Sequence, residues 1–290
     1  MPRDTSNTAL PMTRSKSIFR TGLAAAFIVT AAFIPGRPAR ASVVDDYTAP
    51  RDADIDARGA KSVEVRAGAG SLRIEGRPGI SQVQVRGTAR ASSRNRLADI
   101  KLIAERHGDV VYIKADMPED NGTGFWNAVR GDWGNMQLDL VIEVPQSLSL
   151  DVEDGSGDAK FANIGPMKLT DGSGELSIIG VKGDLTVEDG SGSMTIENVE
   201  GRVRVTDGSG EITAKNIVGD FIVEEDGSGS IEIAGVGGNM RIEEDGSGSI
   251  DVDRIAGDFT VDHKGSGSIR SSGVRGKTDI PDRHRRRNGN

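Results

Sequence analysis

Asp226-Gly-Ser-Gly-Ser-Ile231-Glu-Ile233-Ala-Gly-Val236-Gly-Gly238-Asn-Met240-Arg-Ile242-Glu-Glu244 is one period of a repeat, and its reading decides the fold. Apolar residues alternate at Ile231/Ile233 and again at Met240/Ile242, with Val236 between them. Period-two alternation broken by small residues means two short strands, each with one buried face. A helix is excluded, because each glycine destabilises a helix interior by up to about 1 kcal/mol relative to alanine. The strands are rich in Val, Ile and Thr, which suit a pleated surface.

The same unit recurs along the chain. Asp-Gly-Ser-Gly begins at Asp154, Asp171, Asp189, Asp207, Asp226 and Asp245, and Lys-Gly-Ser-Gly begins at Lys264. The intervals are 17, 18, 18, 19, 19 and 19 residues. The other units align as Leu176/Ile178, Val181, Leu185/Val187; Met194/Ile196, Val199, Val203/Val205; Ile212/Ala214, Ile217, Phe221/Val223; and Ile250/Val252, Ile255, Phe259/Val261. One unit cannot bury its apolar face alone, so copies must stack and turn like residues into continuous interior rows. The expectation is an all-β, parallel β-solenoid of about seven rungs. At about 4.8 Å per rung it would be a rod on the order of 30 Å long. A cross-section of two faces or three fits the alternation equally.

Both ends of such a stack need protection from pairing with other molecules. Ser271 and Thr278 stand where earlier units are apolar, and Pro281 stops the last strand. Residues 61–150 form an N-terminal β region able to cap the other end. It opens with a faded unit, with Ala67-Gly-Ala-Gly70 as the turn, then Leu72/Ile74 and Val83/Val85. Further strands are expected at Ile100 to Ile103, Val110 to Ile113 and Gln137 to Val144. Residues 42–60 read as a flexible leader, 151–280 as the solenoid, and 281–290 as a basic disordered tail.

Residues 1–41 have the pattern of an export signal. A basic start (Arg14, Lys16, Arg20) precedes an apolar run from Gly22 to Ile34, and Ala39-Arg40-Ala41 is a cleavage site. The run is too short to span a bilayer, so no membrane span is expected after cleavage. A periplasmic, cell-surface or secreted location follows. The chain has no cysteine, which excludes disulfides, thiolate metal sites and a cysteine nucleophile. Without residues 1–41 the net charge is −13, and residues 151–270 alone carry −15. That surface repels nucleic acid and attracts cations.

The Gly-x-Gly turns, the paired apolar residues, the signal and the Ile142-Glu-Val-Pro145 run together resemble a large family of exported bacterial proteins. That family is built on a domain of unknown function and carries the label adhesin or β-strand repeat. The resemblance covers about residues 60–280. It implies a solenoid-like fold and an envelope location, and brings no catalytic residues.

Candidate chemistry is sparse. Parallel stacking lines up Asp154, Asp171, Asp189, Asp207, Asp226 and Asp245. At 4.8 Å and an effective dielectric of about 20, neighbouring charges repel by roughly 3.5 kcal/mol. Two readings answer that repulsion. In one, each Asp caps an N–H of its own turn and stays wet. In the other, Ca²⁺ ions bridge adjacent rungs with help from Glu225 and Glu244. Lys264 ends the row and neutralises Asp245. The repeated serines, Ser156 to Ser266, form a structural hydroxyl row, since a nucleophile needs one asymmetric constellation. The nucleophile elbow, the phosphate loop and the paired-His zinc helix are missing. His263 reads as an exposed turn residue. Phe125, Trp126 and Trp133 form an aromatic loop, either a plug over the end of the stack or a recognition loop for an envelope glycan or surface protein. The function expected is that of a non-enzymatic exported solenoid, adhesin-like or structural. The rivals are a polysaccharide-active parallel β-helix enzyme and a calcium-stabilised solenoid.

Overall fold

A computed structural model describes residues 47–118 and 136–281. Residues 1–41, read above as an export signal, the residues Phe125, Trp126 and Trp133 expected in an aromatic loop, and the basic end of the tail lie outside the described residues. Among the described residues no helix is long and apolar enough to cross a membrane.

The described chain is almost entirely strand. β1 (Tyr47–Asp56) is followed by β2 (Ser62–Arg66) and β3 (Leu72–Arg77), then β4 (Gln82–Ala91). One short helix, α1 (Arg94–Asp99), is N-capped by the Ser93 side chain and leads into the hairpin β5 (Lys101–His107) and β6 (Val110–Asp116). β7 (Met136–Pro145) follows. The regular units then run as β8 (Ser149–Asp154) and β9 (Ala159–Ile164), β10 (Met167–Asp171) and β11 (Leu176–Val181), and β12 (Leu185–Asp189) and β13 (Gly192–Val199). They continue with β14 (Val203–Asp207) and β15 (Gly210–Ile217), β16 (Phe221–Asp226) and β17 (Ile231–Val236), and β18 (Met240–Ser247) and β19 (Ile250–Ile255). β20 (Phe259–Ser266), β21 (Ile269–Ser272) and β22 (Thr278–Asp279) close the stack.

Two eleven-stranded sheets face each other, so the cross-section has two faces. The first runs β22-β20-β18-β16-β14-β12-β10-β8-β2-β6-β5, and the second β1-β4-β7-β3-β9-β11-β13-β15-β17-β19-β21. Each rung contributes one strand to each sheet, and neighbouring rungs pair in parallel with like over like: Leu185 on Val203, Val187 on Val205, Asp189 on Asp207. The inward rows close into one apolar core, with Phe161, Phe221 and Phe259 among its largest fully buried side chains. The parallel solenoid expected from the period is the fold observed.

Two details of the unit follow from sterics. The Asp-Gly-Ser-Gly turns lie directly on one another. A Cβ on Gly174 would land on the carbonyl oxygen of Gly157, and the residue's φ of 146° is one that side chains rarely adopt. At the opposite edge Asn163, Asn198, Asn216 and Arg254 take positive φ, turning the chain so that the next residue faces inward. Asparagine tolerates that conformation better than most residues. The change from an 18- to a 19-residue period is a bulge: the register shifts after Val205, where β16 carries both Glu224 and Glu225 before Asp226.

The N-terminal region departs from the sequence reading in three ways. Residues 47–56, expected within a flexible leader, form β1, which pairs antiparallel with β4 along its whole length. An edge strand tolerates Pro50 and needs few large apolar residues, so its sequence gives little warning. Val83 and Val85 do not complete the faded unit; they belong to β4, antiparallel between β1 and β7. Beyond the seven regular rungs, from β8 and β9 to β20 and β21, the N-terminal region itself adds two stacked rungs. β2 and β3 form a rung paired with β8 and β9, and β6 and β7 form another beyond it. The rung of β2 and β3 is first in the chain yet lies between two rungs made later. Antiparallel β5, β4 and β1 then finish this end. At the other end Ser271 lies over Val252 and Thr278 over Phe259, as the weakened last unit implies.

Candidate functional site

The aspartates of the repeated turn are inside the protein. Strand alternation carries them there: Leu185 and Val187 face the core, Glu188 faces out, and Asp189 faces in again. The six side chains from Asp154 to Asp245 form a row one rung apart, each residue between 1% and 6% exposed. This overturns the wet Asx-turn reading. Only Asp154 accepts a hydrogen bond from its own turn, from the Gly155 N–H at 2.9 Å. Ten of the row's twelve carboxyl oxygens are buried with no donor in hydrogen-bonding geometry. The turn N–H groups beside Asp171 and Asp189 lie near enough to ease the charge without completing a bond.

The electrostatics follow from that burial. Desolvation is the largest cause in each case, and raises Asp154 and Asp207 to about 6 and Asp171 and Asp226 to about 7. Asp189 is raised for the same reason. Charges of the row's own neighbours add to the effect at Asp171, Asp207 and Asp226. Lys264 closes the row as expected. It pairs with Asp245 one rung below, Nζ to Oδ2 at 3.4 Å, with both side chains buried.

A calcium row does not fit this geometry. Ca²⁺ takes six to eight oxygens, and each gap between rungs offers two carboxyls. Glu225 and Glu244 are exposed, on the outer side of the sheet from Asp226 and Asp245, so they cannot complete a shell. The turn carbonyls are already used, for example Asp154 C=O by the Gly172 N–H and Ser173 C=O by the Gly157 N–H. Among the described residues no three or more His, Cys, Asp or Glu side chains converge on a metal position.

The outer faces carry inter-rung ion pairs such as Arg66 with Asp151 (3.0 Å) and Arg241 with Asp262 (2.6 Å). His263 is exposed and lies in register with Glu244. A shallow open groove of about 350 Å³ runs along the edge opposite the Asp turns, lined by Asn163, Lys182, Asn198, Asn216 and Val218 among others. Residues 117–135 join β6 to β7, where every regular rung has its four-residue turn. The segment that holds Phe125, Trp126 and Trp133 lies between β6 and β7 in the chain, outside the described residues.

A family model described as Toastrack DUF4097 matches residues 54–281, most of the chain and the whole stack. The chain belongs to the Toastrack DUF4097 family. No curated protein matches it. Several solved structures resemble this Toastrack chain. A "putative cell adhesion protein" from Clostridium sporogenes is 12% identical, over 81% of this chain and 100% of its own, with a TM-score of 0.35. A "putative adhesin" from Bacteroides fragilis is 14% identical over 80% and 96%, TM-score 0.32. A "putative lipid binding protein" from Parabacteroides distasonis is 14% identical over 81% and 97%, TM-score 0.37. At these values overall geometry diverges, and no ligand or partner transfers from them to the Toastrack chain.

Proposed function

We propose that this protein is an exported, non-enzymatic solenoid of the cell envelope, a rigid acidic rod that binds through the segment 117–135. One observation carries the reading: the rungs repeat with a filled core, and the long stretch of sequence between β6 and β7 departs from the period and holds both tryptophans of the chain. Tryptophan suits sugar faces and partner pockets, because it joins a large apolar face to a polar handle. The chemistry favours an envelope glycan or a surface protein as partner. Anionic polymers are disfavoured by the charge of the repeats.

The test is intrinsic fluorescence of the purified protein titrated with envelope glycans, beside a triple variant Phe125→Ala, Trp126→Ala, Trp133→Ala. Binding by the parent and at least tenfold weaker capture by the variant, read by sedimentation with glycan, supports the proposal. Equal capture by both removes the segment from it. A hydrolase or lyase activity abolished by one point substitution would replace the whole reading with the polysaccharide-enzyme one.

A further inference from the structure

The interior acid row lacks a counter-charge. Six carboxyls are sealed in the core, and among the described residues the one cationic side chain facing them is Lys264, which touches only the last. At the other end the row abuts Ala67 of the faded turn, with Met117 packed beside it. Across the core the facing rows are Leu, Ile, Met and Ala side chains. The glutamates that precede the aspartates, Glu153, Glu188, Glu225 and Glu244, face outward, and Glu175 beyond the turn is exposed. Five uncompensated buried charges cannot persist at a few ångströms from one another, because an isolated buried charge is neutralised rather than kept. Metal ions do not fit the donor set, so protons are the remaining counter-charge.

We propose that Asp154, Asp171, Asp189, Asp207, Asp226 and Asp245 form a proton ladder: most are carboxylic acids in the folded protein, and each O–H donates to a carboxyl oxygen of a neighbouring rung. The ladder turns the ten partnerless oxygens into donors and acceptors that satisfy each other. It also couples the stack to acidity. A carboxyl that holds its proton more tightly folded than unfolded favours folding in acid. That advantage is complete below the unfolded value near 3.8 and is lost as pH rises to about 6 or 7. Exposed pairs act elsewhere. Hydrogen bonding from Arg58 holds Asp56 down to about 2, and Lys61 likewise lowers Asp109, so both are ionised throughout pH 5–8.

The experiment combines chemical unfolding of the purified protein from pH 5 to pH 8 with infrared spectra of the native state at pH 6. Three variants are carried alongside: Asp189→Asn, Asp207→Asn and the sixfold Asp→Asn chain. Asparagine keeps the shape and supplies its own donors. Each proton held only by the folded form multiplies the unfolding constant about tenfold per pH unit. The expected result is a parent that loses stability by at least that factor per unit between pH 5.5 and 6.5, with each Asn variant showing a shallower slope. A protonated-carboxyl C=O band should be present in the parent at pH 6 and diminished in the single variants. This band is read without denaturing anything, so a sixfold chain that fails to fold does not rescue the proposal. A flat parent profile or a missing band overturns it. Stabilisation of the parent at pH 8 by millimolar Ca²⁺ or K⁺, absent from the single variants, overturns it in favour of a cation row.

Discussion

The two edges of the stack carry the same side chain and use it in opposite ways. At one edge Asp184, Asp220 and Asp258 each accept a hydrogen bond from a backbone N–H one rung on, from Arg202, Asn239 and Lys277 at 2.8–2.9 Å, and Asn239 does the same for Asp258. These groups are not sealed in the core. At the other edge the row from Asp154 to Asp245 is buried and almost without donors. The residue type does not decide the chemistry. What decides it is position in the unit: Asp184, Asp220 and Asp258 stand in the turn just before a strand and meet backbone donors, whereas the row from Asp154 to Asp245 stands on the inward face of its strands.

The sharpest way to break the comparison is to separate the turns at the acid edge. Gly192→Ala puts a methyl onto the Gly174 carbonyl oxygen in a conformation alanine resists. The expected loss is about 3 kcal/mol or more, or failure to fold, read by urea unfolding. Next is Lys264→Met, which strands Asp245 in the core. It should cost roughly 3 kcal/mol in urea unfolding, because it leaves a buried pair with one partner. Asp226→Asn works the other way. Its carboxyl is raised to about 7 by burial, so the variant should gain roughly 2 kcal/mol at pH 8 and nothing at pH 4. At the opposite edge Asp220→Ala frees one backbone N–H that water can reach. A loss of about 1 kcal/mol in urea unfolding is expected. Smallest is Arg241→Ala on the outer face, where an exposed ion pair with Asp262 contributes about 0.5 kcal/mol and fades in salt.

Much of the stack was legible in the chain, because stacking repeats one physical decision many times. The rows Leu176/Ile178, Val181 and Leu185/Val187 are inward as the alternation requires, and the Lys264–Asp245 contact follows from register alone. The acid row was legible too, and composition hid it. Asp-Gly-Ser-Gly has the makeup of a wet turn, whereas Leu185-x-Val187-x-Asp189 continues a buried face through the aspartate. From Asp226 onward the bulge at Glu224 and Glu225 masks that parity, so only the units up to Asp207 display it. β1 was not legible, since Thr48-Ala-Pro50-Arg-Asp52 has neither bulk nor a clean period. Its pairing with β4 comes from the cap around it. The chain crossing at the N-terminal end, with β2 between β6 and β8, is a tertiary choice that no local pattern encodes.

That crossing bears on how the molecule is made. The earliest rung in synthesis, β2 with β3, has its two covers supplied by β6 with β7 and by β8 with β9, which come later. A chain emerging amino end first therefore cannot zip itself up in the order it appears. The strands β2 and β3 must wait for the Asp-Gly-Ser-Gly units, whose contacts between successive rungs are short in sequence and quick to form. The back of the molecule is the template on which the front is finished.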